Sequence, residues 1–511
     1  MFGQKPFCQA FNKAGTADQQ GLFIGLCVSL LVPNPSQPQV CNGGPQDSQD
    51  CLSGETLAWQ RIQQAAADAY DRCTFTTLVA YEWTAQTGGG NLHRNVIFGT
   101  DKVPKLPESY LDYPTPLELW QALERDCKQE DGCDVITIPH NSNASNGKMW
   151  NDVQDPAAIP YMQRYQTLVE VYQHKGNSEC LPGDALSDPD CAFEQLTSNF
   201  IQQIAGVPPQ PISSGGPGMV RNGLAQGLAL QASTGQNPLV LGIVGATDTH
   251  NATPGNVKED TWPGHVGLKD DTPAARLSLP DFGPGGITGV WAPQNTRAEI
   301  FAALKRRETF ATSGPRIAVR FYATTAVASD AAAQALCDDP EFPRALVVGG
   351  ASPMGSTLKS GQAPYLFVAA MQDATPLDGI DIIKLSSDGS VPAQAIQHVD
   401  LGASRAHPCV FWRDPAFDAK KPTLYYARVF EQPTWRWSHY ACQAAGEAGA
   451  GDAGAGDAGA AEAGAGDAGA SEAGASEAGA PNCTGAAVGG VAGNDVRIRE
   501  RAWTSPIWFT P

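Results

Sequence analysis

Five side chains of metal-ligating type lie where apolar runs of this chain end: Glu82, His93, His140, Asp248 and His250. The sharpest case is VLGIVGATDTH (240–250), where β-type residues stop abruptly on Asp248-Thr249-His250. In a strand, residues i and i+2 point to the same side, so the carboxylate and the imidazole are expected to face one way. The first polar residues after a buried strand sit at its C-terminal mouth, where α/β folds keep their chemistry. Mixed imidazole and carboxylate sets bind Zn, Mn or Fe and activate water for attack on phosphorus or carbon. Asp248 and His250 are therefore the expected catalytic pair and, with Glu82, His93 and His140, the expected ligands.

Each residue also has a structural reading. Glu82 has Arg94 available as a salt-bridge partner, Asp248 is of a type favoured at caps, and a lone histidine such as His93 is commonly a hydrogen-bonded structural residue. Five such residues closing successive elements are far more specific than any one of them. Around them, Asn141 and Asn143 are expected to orient His140 or a substrate, and His174 to line the pocket. Arg316, with Ser313, is the candidate anion clamp at the end of ETFATSGPR, ahead of Lys305, Arg306 and Arg307. Trp262 and Trp291 are candidate cleft walls, with core packing as the alternative. No GxSxG elbow is present, which argues against a serine hydrolase.

The elements that must position these groups alternate. Strands are expected over 75–83, 135–140, 168–174 and 240–246, with helices over 57–71, 116–127, 193–204, 219–232 and 297–307. Trp59, Ile62, Ala66 and Tyr70 mark one face of the first helix. Alternation of this kind indicates an α/β fold with a parallel sheet or barrel over 1–315. Beyond residue 315 come strand-like runs at 316–322, 365–371, 380–385 and 424–430, indicating an all-β, sandwich-like domain over 316–511. Between 443 and 482 lies a low-complexity insertion with an acidic residue every fifth position, from Glu447 to Glu477. That period matches neither helix nor strand, and Ala, Gly and Ser bury too little to offset chain entropy, so disorder is expected. Cys442 and Cys483 flank it and are a candidate disulfide.

The 511 residues exceed one ordinary domain. A net charge of −19 with no offsetting basic stripe argues against nucleic acid as a partner. Thirteen cysteines without a CxxC pair point to disulfides and an oxidising compartment, periplasmic or extracellular, although no signal is visible. No stretch is long enough to span a membrane. The apolar run 21–32 lacks a small-x-small cleavage pattern and reads as a buried segment, and 33–54 reads as a stapled loop.

AYEWT around Glu82, NLHRN around His93, IPHNSN around His140 and ATDTH at 246–250 resemble, in order, the later metal motifs of the PHP (polymerase and histidinol phosphatase) superfamily. The closer resemblance is to its domain-of-unknown-function 3604 branch, through 58–71, 169–180, 304–317 and 499–511 as well. It implies a distorted (β/α)7-type barrel, two to three divalent ions (Zn, Mn or Fe) in an intact site, and phosphoesterase-like hydrolysis by a metal-bound hydroxide. The implied substrate is a small anion, with phosphoesters the leading class. PHP proteins open with an HxH pair and a Thr-Asp-His, and this chain has neither; its first histidine is His93. The expectation is thus a barrel lacking its first strands and an impaired activity. The alternative is a secreted, non-catalytic binding or scaffold protein that keeps the fold.

Overall fold

A computed structural model describes residues 45–86, 90–196, 218–388, 396–402, 407–452 and 496–511. Strands β1 (Val79–Trp83), β2 (Arg94–Phe98) and β3 (Val135–Pro139) form an antiparallel sheet in chain order. All five positions of β3 are buried, as its unbroken apolar run requires. The helix Pro116–Asp126 lies over this sheet. Thr115 and Glu118 close a capping box at its N-terminus, Pro116 supplies a pre-set first turn, and Leu119, Trp120 and Leu123 are buried. Trp120 Nε1 donates to Thr137 Oγ1 at 3.0 Å, which pins the helix to β3.

A second sheet joins β4 (Leu168–Gln173), β5 (Gly176–Asn177) and β6 (Gly242–Gly245) in the order β5-β4-β6. β4 and β6 run parallel, with Leu168 opposite Gly242. β4 and β5 are antiparallel, and Gln173 opposite Gly176 leaves a two-residue turn of His174 and Lys175.

The remaining strands are β7 (Ile287–Val290), β8 (Thr309–Thr312), β9 (Ala318–Thr324), β10 (Ser352–Pro353), β11 (Thr357–Lys359), β12 (Tyr365–Met371), β13 (Leu377–Ser386), β14 (Gln397–Asp400), β15 (Cys409–Arg413), β16 (Thr423–Glu431), β17 (Thr434–Trp435), β18 (Arg497–Ile498), β19 (Arg501–Thr504) and β20 (Ile507–Thr510). One sheet runs β10-β9-β12-β15; a larger one runs β11-β20-β16-β19-β8-β7, with β13 on β16 and β14 on β13. They share an apolar core, with Phe321, Leu366 and Val368 from the first sheet against Ile380, Ile382, Val429 and Phe509 from the second.

The chain is thus mixed α/β with several sheets, and it departs from the sequence reading in four respects. The alternation of strands and helices did not fix strand direction: β1–β3 are antiparallel, and among the described residues only β4–β6 and β11–β20 pair in parallel. Backbone pairing crosses residue 315, because β8 bonds to β19. The β-rich half also carries helices Asp330–Cys337, Arg344–Val348 and Trp437–Asp452. The first described helix starts at Pro45, inside the expected loop, and Ile62 is 44% exposed on it although Trp59 is buried.

Residues 443–452 complete the helix from Trp437. The rest of the acidic insertion to 482, Cys483, most of the expected 193–204 helix and the run 21–32 lie outside the described residues. Disulfides join Cys127–Cys133, Cys180–Cys191 and Cys337–Cys409. No helix among the described residues is long and apolar enough to cross a membrane.

Candidate metal centre

The register of the first sheet brings three of the expected ligands together. Trp83 pairs with Arg94, and Arg94 pairs with Pro139, so the end of β1, the start of β2 and the end of β3 share one edge. Glu82, His93 and His140 stand at that edge. Glu82 Oε1 lies 2.7 Å from His93 Nδ1 and 2.9 Å from His140 Nε2, and the three donor atoms fall within 4.8 Å of one another. Both imidazoles are buried, while the Glu82 side chain keeps 29% of its surface. Arg94 is not the partner of Glu82: it bonds to Gln166 and the Leu92 carbonyl and lies between Trp83 and Trp120.

The electrostatics follow from this packing. Burial pushes the Glu82 carboxyl up, but the two imidazoles outweigh it and hold the group well below the usual carboxylate range. Burial dominates at His93 and lowers its pKa. At His140 burial is outweighed by the Glu82 hydrogen bond and the Asp248 charge, which push it up to about 9.

A second trio consists of His174, Asp248 and His250, whose donor atoms also lie within 4.8 Å of one another. Strand alternation does not produce it, because β6 ends at Gly245 and Asp248 sits beyond it at φ +51°, in the left-handed region. A turn brings the two ligands round instead. His250 Nδ1 bonds to the Asp248 carbonyl at 2.8 Å, which fixes the proton on Nδ1 and leaves the Nε2 lone pair for a ligand. His174, expected only to line the pocket, joins this group with Nε2 3.4 Å from Asp248 Oδ2. Burial and the neighbouring Lys175 push His174 down to about 3, so its imidazole is neutral. Burial raises Asp248 as well, but Lys175 and His174 outweigh it and keep the carboxyl well below its ordinary range.

Three residues of this region were not assigned roles from the sequence. Lys175 contacts Asp248 Oδ2 and lies 2.8 Å from His174 Nε2. Glu170 is wholly buried in β4, and burial pushes its carboxyl up to about 8 against the charge of His140. His265 supports the loop, with its ring on Thr249 Oγ1 and the Pro284 carbonyl and its own carbonyl accepting from His250 N. For Glu170 and Lys175 the available signal was VEVYQHKG: a carboxylate inside an apolar strand and then a tight turn before Gly176, whose φ of +84° allows it.

The two trios adjoin. Gln173 Nε2 donates to the His140 carbonyl at 3.0 Å, and Asn143 Nδ2 donates to the Lys175 carbonyl at 2.9 Å. His93 Nε2, His140 Nδ1, His174 Nδ1, Glu170 Oε1 and both amide atoms of Asn141 are buried without a hydrogen-bond partner among the described residues. Unpaired buried polar atoms cost about 1–3 kcal/mol each, so such a concentration suits a site built for an ion or ligand. Donor types and spacing fit a divalent ion with nitrogen and oxygen ligands.

Other expected site residues are engaged elsewhere. Arg316 is exposed, with its backbone N on Asp373; Ser313 bonds to Glu500. Lys305 pairs with Asp134, Arg306 with Glu308, and Arg307 with the Gly355 carbonyl. Trp262 packs on Trp437 and His265, and Trp291 packs under Arg320 beside Phe310. The third group of ligand-type residues, Cys180, Asp188 and Cys191, contains a disulfide and so is no metal site.

The family model described as "Protein of unknown function (DUF3604)" matches residues 3–402 and 394–455. The chain belongs to this family. No curated protein and no solved structure matches it. The DUF3604 match spans both trios and the whole turn between them, and its description assigns no activity, so function has to be argued from the site itself.

Proposed function

We propose that this DUF3604 protein is a metal-dependent hydrolase of phosphoester type, with a PHP-like barrel as its architecture and a small anion as substrate. The observation that carries the reading is the convergence of Glu82, His93 and His140 on one point from three different chain segments. Glu82, His93 and His140 would hold the ion. A divalent ion in such a site supplies Lewis acidity and an acidified water at neutral pH. Asp248, kept ionised by Lys175, is the proton acceptor in the adjoining trio. His250 is exposed and is the ligand-type residue of its trio open to an arriving substrate. Glu170, kept protonated at neutral pH by burial, is a proton donor bordering both trios. The disulfides support a periplasmic or extracellular setting.

The test uses the full chain and His140→Ala and Asp248→Ala variants. Metal content and hydrolysis of p-nitrophenyl phosphate and bis(p-nitrophenyl) phosphate are measured, with circular dichroism as the folding check. Loss of the ion in His140→Ala, with turnover lowered at least about 100-fold in both variants, is expected. Equal activity in metal-free protein, or no stoichiometric Zn, Mn or Fe in the wild type, would overturn the reading and favour the non-catalytic scaffold.

A further inference from the structure

Lys175 occupies the position a second cation would take. Its Nζ contacts Asp248 Oδ2 and lies 2.8 Å from His174 Nε2, two of the donor atoms that the second trio offers. The side chain is only 7% exposed, so bulk water screens this charge weakly.

The backbone around it is fixed. Lys175 N donates to Gln173 Oε1 at 3.1 Å, and the same Gln173 side chain donates to the His140 carbonyl. The Lys175 carbonyl accepts from Asn143 Nδ2. Gly176 follows at φ +84°, where a Cβ would lie 2.2 Å from the Glu194 carbonyl oxygen, and Asn177 N donates to that same carbonyl at 2.8 Å. Anchored in this way, the side chain delivers its ammonium between Asp248 and His174.

We infer that Lys175 is the resident cation of the His174, Asp248 and His250 trio, and that the protein holds one divalent ion, on Glu82, His93 and His140. The inference rests on the metal-site reading above and narrows it. A second ion beside Asp248 would have to displace the ammonium from two ligand atoms and withstand its charge at contact distance. Lys175 thereby makes the site mononuclear, and it acts as a positioning residue that orients the Asp248 carboxylate.

The experiment is metal stoichiometry. Full-length protein is loaded with Mn2+ or Zn2+, dialysed and analysed by mass spectrometry of the elements and by titration calorimetry. One ion per chain is expected for the wild type, two for Lys175→Met, and one again for Lys175→Met combined with His174→Ala. The single wild-type ion should disappear in His140→Ala and persist in Asp248→Ala. Two ions in the wild type, or one in folded Lys175→Met, overturn the inference, as does a single ion that survives His140→Ala and is lost in Asp248→Ala. In the first two cases the metal-hydrolase reading stands; the third moves the ion off Glu82, His93 and His140 and overturns both, as does no bound ion in any form. Should Lys175→Met fail to fold, Lys175→Gln replaces it, and the wild-type count remains decisive.

Discussion

Arg428→Met tests what locks the site hairpin to the β-rich half of the chain. In β16, Arg428 Nη1 and Nη2 bond to both Asp188 oxygens at 3.1 and 3.0 Å, and Nη2 also bonds to Asp381 at 2.8 Å. Nη1 reaches Glu179 at 3.5 Å, and Glu179 further accepts from Arg221 at 2.6 Å, Tyr426 at 2.5 Å and Trp503 at 2.7 Å. Glu179 lies just ahead of, and Asp188 within, the loop after β5 that the Cys180–Cys191 disulfide closes, so this network ties the hairpin bearing His174 and Lys175 to β13, β16 and β19. Methionine keeps most of the volume and removes the charge. Glu179 and Asp188 are then left with one guanidinium, that of Arg221, and Asp381 with the His398 imidazole. Breaking a buried pair from one side costs about 3–5 kcal/mol, a large share of the roughly 5–15 kcal/mol that holds a typical domain folded.

The pH dependence supplies a second readout of the same network. Burial alone would raise Glu179, but Arg428 and Arg221 outweigh it and bring its pKa from 4.5 to about 2. A carboxyl depressed in the folded state contributes stability that is present above its unfolded pKa and lost as pH falls through the folded value. Urea unfolding at pH 7 should therefore show Arg428→Met destabilised by about 3–5 kcal/mol, with the gap narrowing as pH is lowered from 5 toward 3. A loss below about 1 kcal/mol, the size of a surface ion pair, or a gap that does not shrink in acid would refute the argument.

Two further perturbations probe neighbouring parts of the fold. Burial pushes Glu500 up to about 8 despite its hydrogen bonds to Ser313 and Glu259, so its contribution is complete below pH 4.5 and is lost as pH rises through 8; Glu500→Gln should flatten the stability profile between pH 5 and 9, and an unchanged slope would count against a protonated pair. Gly285 has φ +78°, and an added Cβ would meet the Ala246 oxygen and His174 N at 2.9 Å, so Gly285→Ala should cost about 1–3 kcal/mol and weaken metal retention, whereas full retention at wild-type stability would show the hairpin free to adjust.

What the sequence disclosed depended on the range of the interactions that decide each feature. Helices 116–127 and 219–232 were readable because capping and apolar spacing are local, and the structure has them at Pro116–Asp126 and Val220–Thr234. The fully buried strand at 135–140 was readable for the same reason, as Val135–Pro139. Strand direction was not, since it is set by which edges pair: residues 94–98 form β2, which lies between β1 and β3 and pairs antiparallel with both. The five expected ligands do not form a single group. The register of the first sheet gathers Glu82, His93 and His140, while Asp248 and His250 join His174 through a left-handed turn that strand periodicity cannot encode. Lys175 escaped notice because its importance lies in a two-residue turn and not in a motif of ligand types. Its side chain acts on both trios, lowering His174 and Asp248 in one and adding to the lowering of His93 in the other, and in the inference drawn above it is this charge that sets the number of ions.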